Sequence, residues 1–182
     1  MKKFFIAVAF LMAGIVNAQQ FELGVKAGVN FASLDGDKME WLESRTGIHF
    51  GLIAELPVSG IFSVQPEIFY SALGATGSEA DETYKLDYIS VPFMAKLYVV
   101  EGLSLEAGPQ FAINVLSEAE RNGETEKIRD VETLEFAAGF GAGYQLPMGL
   151  FFQGRYVLGI NEAWEFPGLK NNVFQLSAGY KF

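Results

Sequence analysis

The sequence predicts an all-β chain: an eight-stranded antiparallel up-and-down transmembrane β-barrel, preceded by a cleavable signal peptide. Three observations predict it. The chain ends on a strand, Val173 to Phe182, in which Phe174, Leu176, Ala178, Tyr180 and Phe182 share one face and Val173, Gln175, Ser177, Gly179 and Lys181 the other. The same alternation recurs in seven earlier segments, joined in turn by tight turns and longer polar loops. Half of the residues (50%) are hydrophobic and 17 are Phe, yet beyond the N-terminal segment no apolar run reaches the roughly 18 residues of a membrane helix.

The N-terminal segment carries Lys2 and Lys3, an apolar run from Phe4 to Val16, and Val16-Asn17-Ala18 with small residues at both cleavage positions. It reads as a signal peptide over residues 1–18, leaving residues 19–182 as one barrel domain that begins at Gln19. Removing Lys2 and Lys3 from the 13 Lys and Arg leaves 11 basic against 22 acidic residues, net −11. So acidic a chain is a poor partner for nucleic acid. Without cysteine, disulfides, thiolate nucleophiles and Cys-based metal sites are all excluded.

In order, the first strand runs from about Phe21 to Phe31, with Phe21, Leu23, Val25, Ala27, Val29 and Phe31 outward. Glu22, Gly24, Lys26, Gly28 and Asn30 point inward. A polar loop, Ser33 to Arg45, holds Asp35, Asp37, Glu40 and Glu43. The second strand sets Ile48, Phe50, Leu52, Ala54 and Leu56 against His49, Gly51, Ile53 and Glu55, and Pro57 to Gly60 read as a tight turn. The third sets Phe62, Val64, Pro66, Ile68 and Tyr70 against Ser63, Gln65, Glu67 and Phe69. Pro66 lacks a ladder donor, so a bulge or bend is expected there.

After a second acidic loop, Gly74 to Glu82, the fourth strand has Ile89 to Val99 alternating with Tyr88 to Tyr98. The Glu101-Gly102 turn leads into a fifth, where Leu103, Leu105, Ala107, Pro109, Phe111, Ile113 and Val115 face out. Symmetry about residue 101 sets Lys96 opposite Glu106 inside the barrel, where the two are expected to pair. Asn122-Gly123 suits a type I′ hairpin, and pairing about it opposes Pro109 to Phe136, Phe111 to Leu134 and Val115 to Asp130. The sixth strand carries Phe136, Ala138, Phe140, Ala142, Tyr144 and Leu146 outward with Gly139, Gly141 and Gly143 inward. After the Leu146 to Gly149 turn, the seventh sets Leu150, Phe152, Tyr156, Leu158 and Ile160 against Gln153, Arg155, Val157 and Gly159. A last loop, Asn161 to Asn171, precedes the C-terminal strand.

An even strand number puts both termini on the short-turn, periplasmic side and turns the acidic loops outside. Lys26, His49, Glu55, Glu67, Lys96, Glu106 and Arg155 then point into a lumen only wide enough to be filled by side chains. That makes them a hydrogen-bonded polar network rather than a solute path. His49 is expected near Glu67, and the three inward glycines leave room for Arg155. Asp35, Gly36, Asp37 and Glu40 miss the EF-hand spacing and read as a solvated acidic loop. Trp41 and Trp164 fall in loops, and Tyr70, Tyr84, Tyr88, Tyr144 and Tyr156 are candidates for interfacial girdles.

Gly24-Val25-Lys26-Ala27-Gly28, Gln65-Pro66-Glu67 before Tyr70, Tyr88-Ile89-Ser90-Val91-Pro92, Glu106-Ala107-Gly108-Pro109-Gln110 and Arg155-Tyr156 with Leu158-Gly159 span nearly the whole chain. In these segments it resembles the Bacteroidetes outer-membrane β-barrel proteins labelled PorT-like or porin family. The resemblance implies an outer-membrane location in a Gram-negative bacterium and assembly by the barrel insertion machinery. That machinery would read Phe174, Leu176, Tyr180 and Phe182 as a C-terminal signal. Partners are then the outer-membrane bilayer and that machinery, with any extracellular partner unspecified. No catalytic, cofactor or metal motif is expected, and the reading is a non-enzymatic envelope or surface-interaction protein. The alternatives are a barrel enzyme acting on outer-membrane lipid, a narrow channel, and a soluble lipocalin-like carrier. The carrier would need the opposite polarity on its two faces.

Overall fold

The computed structural model describes residues 21–35, 42–77, 82–121, 124–128, 131–161 and 170–182. The expected signal peptide, Gly36, Asp37 and Glu40 of the acidic loop, the Asn122-Gly123 turn, Asp130, Trp41 and Trp164 lie outside the described residues. Among the described residues nine strands follow one another: β1 Glu22–Asp35, β2 Leu42–Ser59, β3 Phe62–Gly77, β4 Glu82–Val100, β5 Leu103–Arg121, β6 Glu124–Lys127, β7 Leu134–Gln145, β8 Leu150–Gly159 and β9 Lys170–Lys181. All pair antiparallel with their neighbours. β5 pairs with both β4 and β7, and β1 with both β2 and β9, so eight strands close a ring and β6 is appended to β5. Closure leaves the ring without an edge strand, as a sheet at membrane depth requires, since lipid offers no partner to an open ladder.

The predicted faces hold around the ring. Leu23, Val25, Phe50, Leu52, Ile68, Leu105, Phe140, Phe152 and Tyr180 are exposed on the outer wall, while Lys26, His49, Glu67, Glu106 and Arg155 are buried within. This polarity is the reverse of a soluble carrier's. Phe31 stacks on Phe174 at 6.4 Å and Phe111 meets Phe136 edge-on at 5.4 Å.

Several local expectations change. β2 continues through Pro57 and Val58 to Ser59, so the turn narrows to Gly60 and Ile61. At Pro66 the register to β4 does not shift. Pro66 pairs with Phe93 and Phe69 with Ser90, and the ladder skips the rungs between them instead of bulging. Pairing across β5 and β7 opposes Pro109 to Ala138 and Phe111 to Phe136, two residues away from the hairpin arithmetic. β6 does follow that arithmetic, with Arg121 opposite Glu124. Two extra residues are taken up between Lys127 and Leu134, and an even shift preserves every face.

The short turns between β4 and β5 and between β7 and β8 each need a left-handed residue, supplied by Gly102 (φ 78°) and Gly149 (φ 91°). At the opposite end β4 and β5 extend beyond the barrel wall, and β6 adds a third, fully exposed strand. There Lys85 donates to Glu120 at 2.6 Å, and that hydrogen bond lowers the Glu120 carboxyl below its ordinary pKa.

Candidate functional site: the filled lumen

From the short-turn end upward, the lumen is built in layers by the inward residue of every second position. The lowest layer centres on Glu55 of β2. Ser63 Oγ donates to it at 2.5 Å and Lys96 Nζ at 2.9 Å, and Tyr98 and Lys181 also donate to it. Lys181 Nζ bonds Gln145 at 2.7 Å and lies 3.4 Å from Glu22. A cavity of about 420 Å³ opens at this mouth, lined in part by Glu55, Ser63 and Tyr98.

In the middle layer Arg155 of β8 is 1% exposed and holds two carboxylates at once. Its Nη1 and Nη2 donate to Glu67 at 3.0 and 2.7 Å, and its Nε donates to Glu106 at 2.7 Å. The planar guanidinium fork makes this double pairing available to Arg and not to Lys. Glu67 also accepts from Lys26 Nζ at 2.6 Å and Gln65 Nε2 at 2.7 Å, and Glu106 accepts from Gln153 Nε2 at 2.7 Å. The two layers are joined where Lys96 Nζ donates to Gln65 Oε1 at 3.1 Å. Within the barrel Lys26, Lys96, Arg155 and Lys181 face Glu55, Glu67 and Glu106, and Glu22 at the rim supplies the fourth carboxylate. This balance of charge is what makes burial of so many ions tolerable, because each unpaired one costs several kcal/mol, roughly, in desolvation.

Two expected pairings are corrected. Lys96 does sit opposite Glu106 in the β4–β5 register, but its ammonium bonds Glu55, and Glu106 bonds Arg155. His49 bonds Asn30 and Ser177, with its ring 5.7 Å from Phe69, and not Glu67. Of the three inward glycines, Gly139 and Gly141 lie against Arg155, while Gly143 faces Ser104 and Gln153. Tyr88 is fully buried in the lumen and so is no girdle residue, whereas Tyr70 sits against Phe50 at 5.5 Å on the outer wall and donates to Asp87.

The third layer joins Asn30, His49, Ser71, Gln175 and Ser177 by uncharged hydrogen bonds. Beyond it an apolar cap closes the far end: Ala32, Leu73, Ala75, Leu86, Tyr88, Ala112, Ala137, Val157 and Val173, with Ile128 and Val131 packed on it. Set into this cap, Glu135 accepts from Asn171 Nδ2 at 2.6 Å. Reasoning from sequence missed Lys181, Gln65 and Gln153, although each occupies an inward position of a recognised strand. It missed the cap because Ala32, Leu73, Ala75 and Leu86 all fall outside the expected strands, Ala75 in an expected loop, whereas β1, β3 and β4 extend to include them. Among the described residues no group of three or more His, Cys, Asp or Glu is arranged to hold a metal ion.

A closed eight-stranded antiparallel ring with an apolar outer wall and a charged, side-chain-filled interior defines a transmembrane outer-membrane β-barrel. Residues 17–165 match the model of the outer membrane protein beta-barrel domain family, and the chain belongs to that family. Its location is therefore the outer membrane of a Gram-negative bacterium. A comparison with curated protein sequences finds no match. Among solved structures the chain is similar to Ail, the attachment invasion locus protein of Yersinia pestis, with a TM-score of 0.60 at 16% identity over 90% of this chain and 100% of that one. It is also similar to Neisserial surface protein A, with a TM-score of 0.61 at 13% identity over 89% and 97%. Ail in a phospholipid bilayer nanodisc gives 0.53 at 15% identity over 90% and 100%.

Proposed function

We propose that this is a non-conducting outer-membrane barrel that contributes to envelope structure or to surface contacts through its acidic outer segments, a role that asks no catalysis and no cofactor of it. The observation that carries the reading is the double closure of the lumen, by charge-paired layers at membrane depth and by the apolar cap beyond them. An ion entering from either side meets paired charges or a dry plug. The narrow-channel alternative therefore lacks a path. The extension of β4, β5 and β6 past the barrel wall supports surface display. So does the similarity to Neisserial surface protein A, named as a surface protein, and to Ail, named as an attachment invasion locus protein.

The proposal includes a place in the PorT-like, porin-family branch of Bacteroidetes barrels, cleavage after Ala18, and both termini in the periplasm. Insertion by the barrel machinery through Phe174, Leu176, Tyr180 and Phe182 belongs to it as well. The lumen network of Lys26, His49, Glu55, Glu67, Lys96, Glu106 and Arg155 is assigned a structural role. Envelope fractionation together with planar-bilayer recording tests the reading. The expected outcome is outer-membrane material with no steady unit conductance. Reproducible ion-selective steps from purified protein would refute it.

A further inference from the structure

Asn171 has a buried acceptor without a donor, and it stands beside a buried carboxyl without a cation. Its Nδ2 donates to Glu135 Oε2 at 2.6 Å and to the Tyr88 hydroxyl at 3.2 Å, while its Oδ1 meets no hydrogen-bond donor among the described residues. Turning the amide over would set Oδ1 against Oε2 at the same 2.6 Å, two acceptors in contact unless the carboxyl carries a proton. In the orientation observed, a proton on the second carboxyl oxygen supplies the donor that Oδ1 lacks and closes the two-bond ring of an acid–amide pair. Both orientations call for the same proton on Glu135.

The surroundings of Glu135 favour it too. The residue is 3% exposed, lies at the level of the apolar cap beyond the charge-paired layers, and is in no ion pair among the described residues. Glu55, Glu67 and Glu106 by contrast each meet a Lys or Arg. From β4 the titratable group facing Glu135 is Tyr88, from β9 comes the neutral Asn171, and β5 contributes Ala112 as its ladder partner. The charged neighbours are engaged or turned away. Asp87, next to Tyr88, accepts from Tyr70 and lies 3.7 Å from Arg45 of β2, while Lys170 and Glu132 are exposed.

We infer that protonated Glu135, with Asn171 and Tyr88, is a proton-operated latch that ties together the outer ends of β7, β9 and β4 and opens when the carboxyl ionises. The place in the fold gives this tie its leverage. β8 ends at Gly159, and its last rungs join Gly159 to Ala137 and Leu158 to Asn172. Glu135 and Asn171 stand past those rungs, so their bond runs from β7 to β9 over the end of β8. An ionised Glu135 loses the bond to Oδ1 and leaves a bare charge among apolar side chains, which is relieved by turning out to water. The outer strand ends then part while the charged layers beneath stay shut.

In the unfolded chain this carboxyl ionises at about pH 4, whereas the latched one keeps its proton above that. Stability from the latch is therefore whole below about pH 4 and falls as pH rises, about tenfold in the folded-to-unfolded ratio per pH unit, until the latched carboxyl ionises as well. Glu135→Gln is a permanent mimic of the closed state, because a side-chain amide makes both bonds to Asn171 and does not titrate.

The latch goes beyond the surface role and is tested separately from it, on refolded protein in detergent. At about pH 6, where ordinary carboxyls are ionised, the infrared spectrum of the wild type should show one protonated carboxylic C=O band that disappears on raising the pH and is missing from Glu135→Gln. Urea unfolding over the same range should show wild-type stability falling relative to the variant. Hydrogen exchange locates the opening: once the band is lost, the amides of Glu135, Phe136, Asn172 and Val173 should exchange several-fold faster in the wild type than in Glu135→Gln at equal pH. Those of Leu103 and Tyr180, at the short-turn end, should match. The wild-type band and its titration need no variant, so they decide the matter even if Glu135→Gln fails to fold. Absence of the band at about pH 6, or its loss with no change in exchange at the outer ends, would overturn the inference.

Discussion

Lys96 and Glu106 stand directly across from each other on β4 and β5, yet neither bonds the other. Lys96 Nζ lies 2.9 Å from Glu55 Oε2, and Glu106 Oε1 lies 2.7 Å from Arg155 Nε. Each charge thus pairs across the lumen rather than along the wall. In a double-mutant cycle by urea unfolding in detergent, Lys96→Met and Glu106→Gln should couple less than a directly bonded pair, since they meet only through the Gln65, Glu67 and Arg155 chain that joins the two layers. Glu106→Gln with Arg155→Met should couple by about 1–3 kcal/mol. Strong coupling in the first cycle would place the ion pair back on the ladder.

Arg155 satisfies Glu67 and Glu106 together, so its loss strands two buried carboxylates. Arg155→Met should cost about 3–5 kcal/mol, more than Lys96→Met, because Lys181 and Tyr98 remain on Glu55 when Lys96 is removed. Comparable unfolding midpoints for the two variants would contradict this ranking.

How much of this is readable from the sequence follows from one physical fact: parity survives even shifts and fails at odd ones. The inner and outer faces of Phe21 to Phe31, Leu103 to Val115 and Phe136 to Tyr144 are legible because each alternates without interruption. The two-residue slip between β5 and β7 alters partners but no face. At Val115, by contrast, a bulge adds one residue to β5, so Asp87 pairs with Leu116 and Tyr88 with Asn114. Leu86, Asp87 and Tyr88 are then all buried in succession. The alternation that marks a strand is lost there, which is why the start of β4 and the cap residue Leu86 are hidden. Ion-pair partners are hidden for another reason. Long side chains cross the lumen to strands that a pairwise ladder argument never compares.

The apolar cap gives a second stability test. Leu86 is fully buried among Leu73, Tyr88 and Val157. Leu86→Ala should cost about 2–5 kcal/mol by lost burial and the cavity left behind. It should still leave bilayers silent, since the charged layers beneath remain closed. Stable conductance in this variant would show the cap to be the only seal.

Gly28 is a slot and not a turn. A Cβ would lie 2.0 Å from the Leu176 carbonyl oxygen as well as against His49. Gly28→Ala should therefore destabilise by roughly 1–3 kcal/mol through overpacking. It should also displace the imidazole, read as a changed His49 side-chain resonance in a sample labelled at this one histidine. An unchanged resonance with unchanged stability would mean the ring has more room than this geometry allows.

The last prediction concerns the end of the chain. Phe182 is 76% exposed, its ring lies 5.6 Å from Tyr180 in an edge-to-face contact, and its N–H donates to the Leu23 carbonyl at 2.8 Å. It thereby carries the β9–β1 closure one residue past Lys181. Phe182→Asp keeps the backbone bond and changes only a side chain at the rim of the wall, where a charge costs about 0–1 kcal/mol. The stability of purified, refolded protein should therefore barely change. If the insertion machinery reads the outward aromatic face of this strand, yield in the outer membrane should nonetheless fall several-fold. Synthesis and export should stay normal, and the exported protein should become protease-sensitive. Measuring both quantities on one variant separates recognition from folding. A fall in yield matched by an equal loss of refolded stability would assign Phe182 to packing alone, and normal yield would remove it from assembly altogether.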